Sequence, residues 1–349
     1  MNQQEQTSTE TVLVVNPNSC GGLTGKNWEN IYNQIKEIFG ENPEVAFSQK
    51  SGDGTTLTRD LLRRGFKKIV ALGGDGTINE VANGFFEVIT SGTTSSNDSN
   101  DKTVPASPIL KPINSEAMIG LIPSGSRNVL AKSLDLPDGI VECCQRFVNG
   151  KPQKIDVIAA VITTAEAPVT AASDLPKVTT RIFLNAAEMG VGAEIIDRSK
   201  KIRDKIKSRF ISTISGVIAT LPTYESNLCE VSVDDGRQSL LSKMTMGIVA
   251  NGRYLGGGFR AAPQASVTDG LLDITILKNS GSLKMLDEFV DMKGDSDNLQ
   301  EKNNIFYMQA KKVSIKSKER DITVTLDGEP IGIVPATFQV YQNALSIKY

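Results

Sequence analysis

The stretch KKIVALGGDGTINEVANGFFEVI, residues 67–89, constrains the fold more than any other part of the chain. Ile69–Leu72 is an apolar run of strand length. Gly73, Gly74, Asp75, Gly76 and Thr77 follow as a turn, and the pattern from Ile78 onward is helical. A buried strand that passes through a glycine turn straight into a helix is the repeating unit of a parallel sheet covered by helices. The same alternation runs upstream. TVLVVNP (11–17) reads as a strand entering a turn, WENIYNQIKEIF as an amphipathic helix, VAFSQ as a second strand and TLTRDLLRRG as a helix ending at Gly65. Open sheets of this kind bind ligands at the carboxyl ends of their strands, and the GGDGT turn lies at such an end.

The 349 residues are long enough for two domains at roughly 150 residues each. Residues 11–150 read as the α/β domain. Within it, about 90–116 is rich in Ser, Thr, Asn, Asp and Pro and reads as a surface insertion too polar to order itself. AMIGLIP then resumes as a strand and SGSRNVLAKSL as a helix. After KIDVIAAVITT the texture changes to period-two runs: RIFLNAAEMG, CEVSVDDG, SKMTMGIVANG, DGLLDITIL, AKKVSIKSK, ITVTLDG and LSIKY. Such alternation predicts antiparallel strands, so 151–333 is expected to be a mainly antiparallel, β-sandwich-like second domain. SLKMLDEFVDMK interrupts it as a helix.

Composition removes several chemistries. No histidine is present, which excludes a Ser/His triad, a His-ligated zinc and a histidine base, and leaves Asp or Glu to move protons. The formal net charge is −2, so no overall basic field favours nucleic acid as a partner. The four cysteines lack a CxxC spacing and read as reduced thiols. No apolar run approaches the ~20 residues needed to span a bilayer, and MNQQEQTSTET has neither the basic nor the apolar region of a signal peptide. A cytoplasmic protein, soluble or peripherally attached to membrane, is the expectation.

The motifs point to phosphate. Glycines at 73, 74 and 76 let an anion approach the backbone, Thr77 adds a hydroxyl, and the following helix adds a partial positive charge. Asp75 does not suit a bare phosphate cradle, because it repels the ligand unless it holds a metal, a substrate hydroxyl or a proton. GGDGTINEVANG resembles the signature of the diacylglycerol kinase catalytic domain family, which includes soluble bacterial diacylglycerol kinases and sphingosine kinases. NAD kinases and phosphofructokinases carry a shorter version. VVNPNSCGG resembles the family's first-strand turn through Asn16, Pro17 and Asn18, departing at Cys20. QKSGDGT is similar to a further family segment and puts Ser48 at a nucleotide-contacting position. GLIPSGSRNVLAKSLDLP matches at Gly125 and Asn128, with Ser126 keeping a hydroxyl where threonine is usual. Arg127 stands where small residues are common, either reaching a phosphate or solvated. ANGRYLGGGFRAAPQASVTDGLLDI is similar over its whole length, with Asp269 retained from an acid pair whose first member is Thr268 here. TLDGEPIG resembles the family's DGE motif.

The resemblance implies an α/β N-terminal domain with a parallel sheet, like those of NAD kinase and diacylglycerol kinase, and a return of 334–349 to it. It implies ATP and Mg²⁺ as cofactors, with Asn16, Pro17, Asn18, Ser48, Gly73, Gly74, Asp75, Gly76, Thr77, Asn79, Glu80, Gly125, Ser126 and Asn128 around the nucleotide. Asp269 and Asp327 are the metal candidates. Glu329 is favoured over Asp75 as proton acceptor, with Asp327 beside it. On an extended strand Asp327 and Glu329 would share a face; in a hairpin they would be turn acids. The substrate implied is a lipid alcohol at a membrane surface. A basic run with interleaved isoleucines, Arg198–Arg209, reads either as a solvated helix face or as an interfacial helix drawn to anionic lipid. A homodimer is one candidate assembly. The competing readings are a NAD kinase-like enzyme and a silent nucleotide- or lipid-binding protein.

Overall fold

The computed structural model describes residues 10–89, 107–164, 177–192, 194, 224–256, 259–278 and 304–349. The expected helix at SLKMLDEFVDMK and the basic run at Arg198–Arg209 lie outside them. The chain divides into two compact units, one made of 1–87, 111–155 and 344–349, the other of 88–110 and 156–343.

The first unit contains β1 (Thr11–Val15), α1 (Ser19–Lys26), α2 (Trp28–Phe39), β2 (Glu44–Phe47), α3 (Asp53–Arg63), β3 (Lys68–Gly73) and α4 (Asp75–Gly84). β4 (Phe86–Ile89) and β5 (Ile109–Pro112) form a separate two-stranded ribbon. After them come β6 (Met118–Pro123), α5 (Val129–Ser133) and α6 (Ile140–Asn149). β1 pairs in parallel with both β2 and β3, and β3 with β6. Strand periodicity sends Leu13, Val15, Val70, Leu72 and Ile122 to one face, where they meet Ile31 and Ile35 of α2 and Cys144 and Phe147 of α6. α3 and α4 pack closely enough that a Cβ on Gly84 would sit 2.5 Å from Thr58 Cβ. The polar tract expected over about 90–116 is shorter at its far end than its composition suggested: Ile109–Pro112 is a strand, because β4 supplies a partner.

The second unit contains β7 (Pro152–Thr163), β8 (Val178–Phe183), β9 (Ala186–Gly190), β10 (Asn227–Val233), β11 (Gln238–Ala250), β12 (Leu272–Lys278), β13 (Ile305–Ala310), β14 (Lys312–Ser317), β15 (Thr323–Leu326) and β16 (Glu329–Lys348). Neighbours in the order β13-β12-β11-β10-β14-β16 pair antiparallel, and β9 pairs with β11 and β15. Inward residues at alternate positions build one apolar cluster, including Ile158, Phe183, Val231, Ile274, Ile315 and Phe338. Every period-two run singled out above is a strand here, or a pair of strands, as in β8 and β9.

β16 belongs to both units. Its residues 336–339 pair antiparallel with β14, while Ser346, Ile347 and Lys348 pair in parallel with β6. The return to the first unit therefore begins at Ala344, ten residues later than the boundary read at 334, because the ladder to β14 holds the earlier part.

Candidate active site

Three turns meet at the carboxyl ends of β1, β3 and β6. Asn16 N–H donates to Leu72 O at 3.0 Å, Ser124 N–H to Gly73 O at 2.9 Å, and Asn16 Nδ2 to Thr77 Oγ1 at 3.0 Å. Ser19, Thr24 and Ser124 share a hydroxyl cluster, with Ser19 Oγ 2.6 Å from Thr24 Oγ1 and 3.0 Å from Ser124 Oγ. In the first turn Asn18 N–H donates to Asn16 Oδ1 at 2.9 Å, and Pro17 O accepts Gly25 N–H at 2.9 Å. The second and third turns touch backbone to backbone. A Cβ on Gly125 would lie 2.4 Å from Gly74 Cα, and a Cβ on Gly73 would lie 2.4 Å from Thr77 Oγ1. Neither position admits a side chain, which is the packing reason for glycine there.

Asn128 shapes the third turn. It holds φ +48°, a conformation asparagine tolerates better than most residues, and its side chain accepts Gly125 N–H at 3.0 Å and donates to Gly125 O at 3.3 Å. Asp75, at the start of α4, reaches across to this turn: one carboxylate oxygen accepts Val129 N–H at 2.6 Å and Leu130 N–H at 3.3 Å, the first two amides of α5. Burial raises its pKa above the usual carboxylate value, against the lowering effect of the Leu130 amide, Arg127 and the Val129 amide. Asp75 is thus a helix cap as well as a candidate acid.

Three residues assigned to the nucleotide are engaged within the protein. Glu80 accepts Gly52 N–H at 2.7 Å and Gly54 N–H at 2.9 Å, so it ties α4 to the first turn of α3. Asn79 accepts Asn83 Nδ2 at 2.9 Å along α4. Ser48 is buried, with Oγ 3.4 Å from Val15 O.

In the second unit the DGE motif is a hairpin. Leu326 pairs with Glu329, and Asp327 and Gly328 between them have φ +48° and +83°, the two positive values that an Asp-Gly hairpin turn requires. The extended-strand arrangement of the two acids is therefore corrected. Asp327 Oδ1 accepts Asn185 N–H at 3.1 Å and Ala186 N–H at 3.0 Å, while Oδ2 accepts Leu184 N–H at 3.3 Å. Its carboxylate pins the link between β8 and β9, and Glu329 stands exposed at the start of β16. Asp269 accepts Leu271 N–H at 2.9 Å; partial burial raises its pKa, the Leu271 amide opposes this and Asp156 adds to it.

Sequence reading missed the residues that anchor these loops. Asp156 is wholly buried and accepts Gly270 N–H at 2.6 Å and Asn343 N–H at 2.7 Å. Asn251, also wholly buried, donates to Leu184 O at 2.8 Å and Asp156 O at 3.3 Å. The available signal was a lone acid inside the apolar run KIDVIAAV.

Among the described residues, no group of three or more His, Cys, Asp or Glu is placed to hold a metal ion. Asp269 and Asp327, the two metal candidates, each commit oxygens to backbone amides. Mg²⁺ typically binds through one or two carboxylates and the phosphates of its substrate, so a preformed protein cage is not needed for a nucleotide-borne ion.

The diacylglycerol kinase catalytic domain model matches residues 10–160, and the model described as the YegS C-terminal NAD kinase beta sandwich-like domain matches 185–349. Residues 10–160 form a diacylglycerol kinase catalytic domain, and 185–349 a YegS-type C-terminal domain. Among its relatives, a protein of Chromohalobacter salexigens named "Probable lipid kinase YegS-like" is 26% identical over 293 residues, covering 83% of this chain and 78% of its own. The diacylglycerol kinase of Bacillus subtilis (strain 168) is 24% identical over 339 residues, covering 93% and 91%. A diacylglycerol kinase structure from Bacillus anthracis str. Sterne shares the fold, with a TM-score of 0.64 at 21% identity over 97% of this chain and 96% of that one. In this diacylglycerol kinase-type domain, the glycine turns of β3 and β6 are the features that the fold brings together.

Proposed function

We propose that this protein is an ATP-dependent lipid kinase that phosphorylates the hydroxyl of diacylglycerol or a related lipid alcohol. The observation that carries the reading is the contact between the Gly74 and Gly125 turns at the carboxyl ends of adjacent parallel strands, a backbone surface kept free of side chains. Gly73, Gly74, Gly76 and Thr77 would face the phosphates, with Asn16 orienting Thr77 through its amide. ATP enters as its Mg²⁺ complex, the ion serving to neutralise phosphate charge.

Phosphoryl transfer asks mainly for alignment, charge neutralisation and a destination for one proton. The lipid oxygen forms a bond to the γ-phosphorus, the bond from that phosphorus to the bridging oxygen of ADP breaks, and the hydroxyl proton passes to a carboxylate. Glu329 is the proposed acceptor, because it is exposed next to the rigid Asp327 turn. Asp327 sets the position of that turn, and Asp75 keeps the Val129 end of α5 against the cradle. Since the acceptor is a membrane lipid, the same reading places the enzyme at a membrane surface on the cytoplasmic side, with Arg198–Arg209 as its contact.

The test is transfer of labelled γ-phosphate from ATP with Mg²⁺ to a panel of diacylglycerol, monoacylglycerol, sphingoid bases and NAD, beside the Glu329→Ala variant. Label in one lipid, lost in the variant, is the expected result. Label in NAD alone would refute the lipid substrate, and no label anywhere would refute the kinase.

A further inference from the structure

Residues 16–22, 73–77 and 124–128 form the three turns described above, and they contain one anion, Asp75, and one cation, Arg127. Arg127 lies in the turn that Asn128 closes by clamping both the N–H and the C=O of Gly125. The backbone of that turn is fixed on its other side by the Gly74–Gly125 contact, so Arg127 is carried on a fixed loop at the edge of the cradle. It is half-buried, and its guanidinium makes no hydrogen bond or ion pair among the described residues. Its charge lowers the pKa of the Asp75 carboxyl, so the guanidinium lies within electrostatic range of it.

Asp75 has its own reason to be there, the cap on Val129 and Leu130, yet its charge repels a phosphate. A guanidinium beside it offsets that repulsion and offers planar, paired donors that match phosphate oxygens. Building on the kinase reading above, we infer that Arg127 binds the terminal phosphate of the nucleotide and neutralises the charge of the phosphoryl group as it transfers. The glycine amides would hold the inner phosphates, and Arg127 would distinguish a triphosphate from a diphosphate.

Full-length wild type, Arg127→Gln and Arg127→Lys are compared by calorimetric binding of ATP and ADP with Mg²⁺ and by ATP-dependent transfer to the lipid identified by the panel. The glutamine variant is expected to bind ATP about tenfold or more weakly, the scale of one lost charged contact, while ADP affinity changes by less than about twofold. Its kcat should fall as well, and lysine should restore part of both losses. Equal weakening of ATP and ADP would mean that the turn has moved and would overturn the assignment. So would unchanged affinity for both. A wild type that binds neither nucleotide would refute the kinase reading itself, a result separate from these two.

Discussion

Asp273 offers a direct test of how burial acts on this fold. It lies on β12 with no exposed surface. Its Oδ1 accepts the Tyr307 hydroxyl and Gln309 Nε2, the latter at 3.3 Å, while Oδ2 is buried without a partner among the described residues. Burial raises its pKa from 3.8 to about 6; the Tyr307 bond opposes the shift, the Asp269 charge adds to it and Gln309 opposes it again. Below pH 3.8 the carboxyl is protonated in folded and unfolded chains alike, and it contributes nothing to the pH dependence. Between 3.8 and about 6 the unfolded chain has released a proton that the folded chain keeps. Stability therefore falls by about 1.4 kcal/mol per pH unit across that window. Above it the full penalty applies, about 3 kcal/mol for a shift of roughly two units.

Asp273→Asn keeps an oxygen for Tyr307 and removes the titration. The new amide nitrogen, placed where Oδ2 has no partner, adds a constant offset, so the informative quantity is the change with pH. Urea unfolding of both proteins from pH 4 to pH 8 should show wild type losing about 2.5 kcal/mol relative to the variant, most of it before pH 6. A difference that stays constant over this range would refute the argument that burial dominates at Asp273.

Gly125→Ala would place a methyl 2.4 Å from Gly74 Cα and 2.6 Å from Asn128 Oδ1. It should lower stability by about 1–3 kcal/mol and weaken ATP binding, both read from thermal melts with and without nucleotide; unaltered melts would show that the turns can part freely. Asp75→Asn retains one acceptor for Val129 N–H but loses the charge that strengthens it, so about 1 kcal/mol of stability should go. With Asp75 also proposed to stand by the nucleotide and its metal, turnover should drop by orders of magnitude with ATP affinity largely kept; wild-type turnover would leave Asp75 with the α5 cap alone. Asp327→Asn can serve either the Leu184 or the Asn185–Ala186 amides with its single oxygen, not both. Chemical denaturation should register about 1–3 kcal/mol for the amide left unpaired, and no loss would mean that the hairpin stands without this clamp. Neutralising Lys200, Lys201, Arg203 and Lys205 together should reduce binding to anionic vesicles in a sedimentation assay while sparing ATP affinity; unchanged sedimentation would return the run to a solvated face.

The sequence by itself determined the strand–turn–helix units and the period-two strands, but not that Phe86–Ile89, inside the run read as helical, is the strand β4. Ile69–Leu72 followed by a glycine turn and a helical period leaves few alternatives to a strand–turn–helix unit, and the period-two runs after KIDVIAAVITT could not be satisfied by helices. These are local matters, decided within about ten residues by side-chain periodicity and the φ freedom of glycine. What the acids do was decided only by tertiary structure, because each depends on amides that come from far along the chain. Asp75 caps amides 54 and 55 positions away, Asp327 clamps a link more than 140 residues before it, and Asp156 meets Asn343 at a separation of 187. The DGE acids divided into a clamp and an exposed carboxylate because an Asp-Gly pair closes the hairpin, which turns the two side chains out of the common face that an extended strand would give them. β16 shows the same limit: its period-two pattern announces a strand, but nothing in that pattern tells Phe338 to pair with β14 and Ile347 with β6. Pairing partners are chosen by the surfaces that the other elements leave open, and those exist only once the chain has folded.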